Sequence, residues 1–350
     1  MAIHPAERRS HLGMGAVVVA LHAIGWGTLF IFVLPGLARS GGNAAVLLGL
    51  AASAYLLGLR HTFDVDHIVA IDNITRQLIG AGRRPVTVGF WFALGHSSVV
   101  LVSVVLLVFG ISAIAGGLTD AGSVLRQAAS VWGAAFSGGF LILMGVLTLS
   151  SVISLQKVLR SIRSGRSDGS ELDGQLEKRG VIDRILRPVS RLVDTPWKTF
   201  PIGVLFGLGL DTAASISIFV FSGGLTPGLP WYAVLVIPVV FMSGMMVLFD
   251  SADGILMNSV YHWASVDPLQ KVYYDLVVTA VSVFVAFLVG GIGLVSMLSN
   301  LGVGGRVFDL FTHIDLKSLG VILISAFVLV RLSAALWTRL RSRATEERNS

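Results

Sequence analysis

The sequence predicts an all-α, polytopic membrane protein with eight transmembrane helices. Three observations predict it. The 350 residues are 54% hydrophobic and only 13% charged, with a mean hydropathy of +0.81. Eight apolar runs each reach the roughly 20 residues that cross a bilayer core of about 30 Å. The basic residues then collect on one side of the spans so drawn. Glycine is abundant, at 40 residues, which suits close helix packing in lipid.

The runs fall at about 14–37, 44–71, 86–115, 130–156, 199–222, 231–258, 272–299 and 317–338. The first follows MAIHPAERRSHLGMG. It is long enough to span, and no small-residue cleavage signal follows a short apolar core, so it reads as a retained helix and not a signal peptide. The second and sixth contain acidic residues. Their continuous apolar context on the N-terminal side favours spanning over lying on the surface. A seven-helix count would lose one of these two.

Lysine and arginine set the orientation. In the eight-span arrangement one side holds Arg8 and Arg9, then Arg76, Arg83 and Arg84, ten residues from Lys157 to Lys198, Lys271 and four in the tail. The other side holds only Arg39, Arg126, Arg306 and Lys317. Both termini are therefore expected in the cytoplasm of a multi-pass cell-membrane protein. The pI near 10.0 is explained by this bias, so no nucleic-acid partner is called for. The organisation expected is a first membrane half at 1–156, a cytoplasmic linker at 157–198, a second half at 199–338 and a basic tail at 339–350. The linker is rich in Ser, Gly and charge and too poor in large apolar residues to bury a core. Its later piece, VIDRILRPVSRLVD, reads either as an amphipathic helix on the membrane surface or as a partly ordered connection.

Polar groups break the apolar runs in three places. HTFDVDHIVAIDN, residues 61–73, packs two histidines, three carboxylates and an amide into thirteen positions. FALGHSSVV in the third run carries His96. In the second half GLGLDTAAS carries Asp211 and Thr212, and SGMMVLFDSADG carries Asp250 and Asp253. His22 in the first run is a further candidate. Ionisable groups at such depth face the protein interior or an aqueous path. Imidazole with carboxylate suits divalent first-row metals, whereas carboxylate alone would suit calcium or magnesium. Cysteine is absent, which excludes disulfides and thiolate sites. Copper ligation by Met242, Met245 and Met246 is conceivable, but methionines there are ordinary packing residues. His4, His11, His262 and His313 fall in loops or ends and read as ordinary. Asp72 has Arg76 four residues on and reads as a local ion pair.

Helical geometry limits how much of the second run can hold one ion. On an ideal helix His61 and His67 point about 120° apart and are separated by roughly 9 Å of rise. Either the helix unwinds near His61, as discontinuous helices do at ion sites, or only part of the set touches the metal. The remaining carboxylates would then orient imidazoles or relay protons. GLRHTFD also echoes GLGLDTA, and FDVDH echoes FDSADG, which allows a pseudo-repeat of two halves.

These motifs resemble those of the nickel/cobalt transporter family of single-component permeases. The hallmark is His, four residues, Asp-His, here His61, Asp66 and His67 in HTFDVDH. LGHSSVV and GMMVLFDSADG match the third- and sixth-span motifs. The resemblance runs from about residue 14 to 338. It implies eight spans and transport of Ni2+ or Co2+ as substrate, with no prosthetic cofactor. It puts metal-site roles on His61, Asp66 and His67, supported by Asp64 and Asn73, with His96, Asp211, Thr212, Asp250 and Asp253 from other helices. His22 falls in the first-span region that influences nickel against cobalt choice. The fifth-span motif departs from the family's Leu-Gly-Phe-Asp-Thr-Ala-Thr-Glu: LGLDTAAS places Ala214 and Ser215 at its last two positions, so a carboxylate is missing.

The function expected is a secondary transporter, not an enzyme, importing the metal by alternating access through an intramembrane His/Asp site. No phosphate-binding Gly-rich loop ending in Lys-Ser/Thr is present, and no ATPase subunit is evident. The membrane potential favours inward movement of a dication by about 4.6 kcal/mol per 100 mV. A metal efflux carrier would share the ligands. An intramembrane metalloprotease would use HExxH, which HTFDVDH is not. Oligomeric state is not readable from the sequence.

Overall fold

The computed structural model describes residues 5–39, 43–108, 120, 122–164, 193–209, 231–261, 268–303, 319–329 and 332–333. Every regular element among them is helical. α1 (Pro5–Gly27) runs through a π-helical turn (Thr28–Val33) into α2 (Leu34–Arg39), forming one long apolar rod. α3 (Ala44–Thr62) and α4 (Val65–Gly80) follow, then α5 (Val88–Val108) and α6 (Val124–Arg163). The second half supplies α7 (Thr199–Gly207), α8 (Trp231–Tyr261), α9 (Pro268–Asn300) and the short α10 (Leu319–Leu329).

Five stretches among the described residues are long and apolar enough to cross a membrane: Glu7–Arg39, Ala44–Thr62, Val88–Leu106, Val124–Lys157 and Val272–Ser299. The protein is therefore an all-α, polytopic membrane protein. Phe30, Ile31, Phe32 and Phe284 are more than half exposed, as lipid-facing side chains are. Backbone groups in such helices are satisfied internally, which is what hydrocarbon demands.

Two of the expected runs take a different form. The run at 44–71 is not one helix. Its apolar first part is α3, capped at its start by Asn43, whose Oδ1 accepts from the Ala45 and Val46 amides at 2.9 and 3.4 Å. That side chain supplies partners for two of the amides a helix start leaves open. The chain breaks at Phe63 and Asp64, and α4 starts afresh. The fourth run is longer than drawn: α6 continues through Arg163, so the beginning of the 157–198 segment is helical. All but the last two residues of VIDRILRPVSRLVD, Val193 and Asp194, lie outside the described residues, as does the basic tail.

Helix ends and helix contacts use glycine where a side chain would not fit. Gly82 closes α4 at φ 69°, with the Arg83 amide donating to the Leu78 carbonyl at 2.8 Å. This is the left-handed cap that glycine accepts at least cost. α5 is held between α7 and α8 at near backbone contact. A Cβ on Gly203 would overlap the Phe92 carbonyl, and one on Gly89 would overlap the Asp250 carbonyl. Small residues let membrane helices approach this closely. These contacts bring His96 of α5 and Asp250 of α8 next to the break between α3 and α4.

Candidate metal centre

The break explains how two histidines six positions apart reach one point. Asp64 sits at the start of α4 with φ −65° and ψ 129°, an extended conformation outside both helices. His61 thus ends one helix and His67 opens the next, with ring centroids 4.8 Å apart. α5 adds His96, whose ring lies 4.7 Å from each of the other two. One ligating nitrogen from each of His61, His67 and His96 lies within 4.8 Å of the others. All three residues are buried.

The closest pair is His61 Nε2 and His96 Nε2 at 2.9 Å. Two nitrogens bound at right angles to one ion at about 2.1 Å would be about 3.0 Å apart. The spacing of this pair is already that of adjacent ligands. Carboxylates stand behind the rings. His61 Nδ1 lies 2.9 Å from Asp64 Oδ2, so Nδ1–H donates outward and Nε2 points its lone pair inward. Such a partner fixes the tautomer and the ring orientation of a ligating histidine. His67 Nδ1 faces Asp250 Oδ2 at 3.6 Å. Phe92 and Phe206 pack edge-on against His67, with centroids 4.9 and 6.4 Å away, and form an apolar wall.

The other residues singled out from sequence occupy distinct positions. Asp66 is not among the three residues whose nitrogens converge. Its Oδ1 accepts from the His67 amide at 3.1 Å and its Oδ2 accepts from Ser137 Oγ of α6 at 3.1 Å. Asn73 is fully buried two turns along α4. Its amide donates to the Val69 carbonyl at 2.9 Å, and its Oδ1 accepts from Thr148 of α6 at 3.0 Å. Asp250 and Asp253 are buried on α8. None of their four oxygens has a hydrogen-bond partner among the described residues. His22 is not part of the triad. Its Nδ1 donates to the Val18 carbonyl at 2.8 Å, its Nε2 accepts from Tyr55 at 3.1 Å, and its ring rests on Gly244. Asp211 and Thr212 lie outside the described residues, as does Ser215.

Met245 and Met246 are buried, and Met246 Sδ receives Ser97 Oγ at 3.9 Å. They serve packing. Met242 has no described side chain. Ser137, Thr148 and Tyr55 were not singled out from sequence. A lone hydroxyl in an apolar helix is common and gives no signal of the partner it meets.

The profile of the NicO family, described as "High-affinity nickel-transport protein", matches residues 47–337. The chain belongs to that family, the nickel/cobalt permeases. Among its relatives, the nickel transporter NicT of Mycobacterium tuberculosis is 42% identical over 318 residues, covering 90% of this chain and 85% of that protein. The nickel transporter NixA of Staphylococcus aureus is 37% identical, covering 96% of this chain and 97% of its own. The cobalt transport protein NhlF of Rhodococcus rhodochrous is 32% identical, covering 96% and 94%. No solved structure matches the chain. The family members so compared are transport proteins and not enzymes, and the buried triad lies within the matched region.

Proposed function

We infer that this protein is a secondary transporter that imports Ni2+ or Co2+ across the cytoplasmic membrane by alternating access. The observation that carries the reading is the convergence of three buried imidazoles, His61, His67 and His96, at a break between two helices of a membrane protein. Borderline nitrogen ligands suit nickel and cobalt, and the lack of thiols disfavours the softer ions. The full-length similarity to nickel and cobalt transporters supports the same class of substrate.

In this mechanism the hydrated dication exchanges water for the three imidazoles. The ion takes the place of the proton between His61 Nε2 and His96 Nε2, which moves to His96 Nδ1 so that both imidazoles stay neutral. Asp64 and Asp250 orient His61 and His67 and offset the charge brought in. The set is small and neutral at the ligating nitrogens, so binding stays reversible and the ion can leave on the other side. Two positive charges moving inward gain about 4.6 kcal/mol per 100 mV of membrane potential, which supplies the driving force.

The topology that accompanies this reading has eight spans, both termini in the cytoplasm, and two halves, 1–156 and 199–338, joined by a cytoplasmic linker. The one-sided lysines and arginines support the orientation. The short echoes between the runs support a pseudo-repeat. Asp66, Asn73, Asp211, Thr212, Asp250 and Asp253 are assigned to the ion's path or its support, and His22 to its selectivity.

Purified protein in vesicles of known internal volume, with an imposed inside-negative potential, tests the function. Radiolabelled nickel should accumulate inside, and excess cobalt should compete better than zinc. Movement only outward down a fixed metal gradient would mean export, and movement of neither metal would defeat the assignment.

A further inference from the structure

Below the histidines, α8 presents a line of groups that are buried except for the half-buried Tyr261. Asp250, Asp253, Met257 and Tyr261 follow one another at steps of three, four and four residues, which keeps them on one helical face. Asp250 stands against His67. Tyr261, eleven residues and about 16 Å further along the helix, stands against a second charged cluster. There Arg76 of α4 forms an ion pair with Asp72 at 3.9 Å. Its guanidinium donates to Ser282 Oγ of α9 at 2.8 Å and makes shorter contacts to Thr279 Oγ1 and to the Tyr261 hydroxyl. The Tyr261 hydroxyl donates to Asp72 Oδ1. The guanidinium also lies over the Tyr261 ring, 4.0 Å from its centroid.

One arginine thus ties α4 to α8 and α9, the helices of the two membrane halves. Asp72 is buried and the Arg76 side chain is 10% exposed. A desolvated charged cluster of this kind is strong while every partner is present and weak once one is removed. A contact that is either joined or parted is what a switching element requires. The cluster lies at the end of α4 that leads to Arg83 and Arg84, and at the C-terminal end of α8.

We propose that Arg76 and Tyr261 are the inner closure of the transport path: their bonds to Asp72, Thr279 and Ser282 seal the line from Asp250 to the cytoplasm, and they part to let the ion out. The proposal rests on the transport function and the orientation given above. Asp253, between the triad and the closure, is where the ion passes before release.

The chain has no cysteine, so a single M257C substitution places one thiol on the line between Asp253 and Tyr261. In inside-out vesicles without metal, a charged, membrane-impermeant thiol reagent should label it slowly. Adding Tyr261→Phe, which preserves the ring but removes the hydroxyl's bonds to Arg76 and Asp72, should raise the labelling rate by at least about tenfold, the change expected from the loss of even one charge-assisted hydrogen bond. Ser282→Ala should raise it less. Equal labelling with and without Tyr261→Phe, in a parent that carries nickel, overturns the closure and leaves the transport function standing. A parent that carries neither nickel nor cobalt overturns the transport function and the closure with it.

Discussion

His61 Nε2 and His96 Nε2 meet at 2.9 Å across the contact between α3 and α5. His61 and His67 could not both reach His96 from a straight second helix. The extended Asp64 turns the chain after His61, and the glycine contacts of α5 set the depth at which His96 arrives. The remaining expectations follow from what surrounds this pair.

Asp64 acts through His61 by accepting from its Nδ1 at 2.9 Å. Asp64→Ala should weaken nickel binding by about 10- to 100-fold, the usual effect of losing a carboxylate behind a metal-ligating histidine. Asp64→Asn retains an acceptor oxygen and should lose less. Titration calorimetry of purified protein measures both. Equal affinity in Asp64→Ala and the parent would show that His61 needs no such partner.

Asp253 is buried, with neither oxygen hydrogen-bonded among the described residues. A desolvated carboxylate in that setting costs stability, of order 1–3 kcal/mol. Asp253→Asn should therefore raise the thermal unfolding midpoint of metal-free protein in detergent while lowering nickel uptake. A variant that is both less stable and fully active would mean that the carboxylate serves only the fold.

Gly203 sits against the Phe92 backbone, where a methyl group would overlap the carbonyl. Gly203→Ala should cost about 1–3 kcal/mol, as overpacking in a filled interior does. Because α5 also carries His96, nickel affinity should fall together with the thermal midpoint. Substitution without loss of either would mean that α5 and α7 pack less closely than found.

The helical class and its main spans were legible because lipid imposes a long, simple apolar signal. His61, His67 and His96 were legible because imidazoles in such runs are rare. Helical angles left two alternatives, a break near His61 or a partial ligand set; the structure has the break, at Phe63 and Asp64, and no local pattern fixed that place. Which of the candidates gather was not legible. His22 looks the same in sequence as His96, yet its ring is taken up by Val18 and Tyr55. Asp72 and Arg76 read as a local pair at helical spacing. The pair exists, but its partners Tyr261, Thr279 and Ser282 come from some 185 to 206 residues away, and no local pattern marks them.

The central claim is that one dication binds His61, His67 and His96 together. X-ray absorption at the nickel edge of purified, nickel-loaded protein tests it most directly. The account predicts scattering from about three imidazoles at about 2.1 Å, falling to about two in His96→Ala. A parent spectrum without imidazole scattering, or one that His96→Ala leaves unchanged, would contradict it.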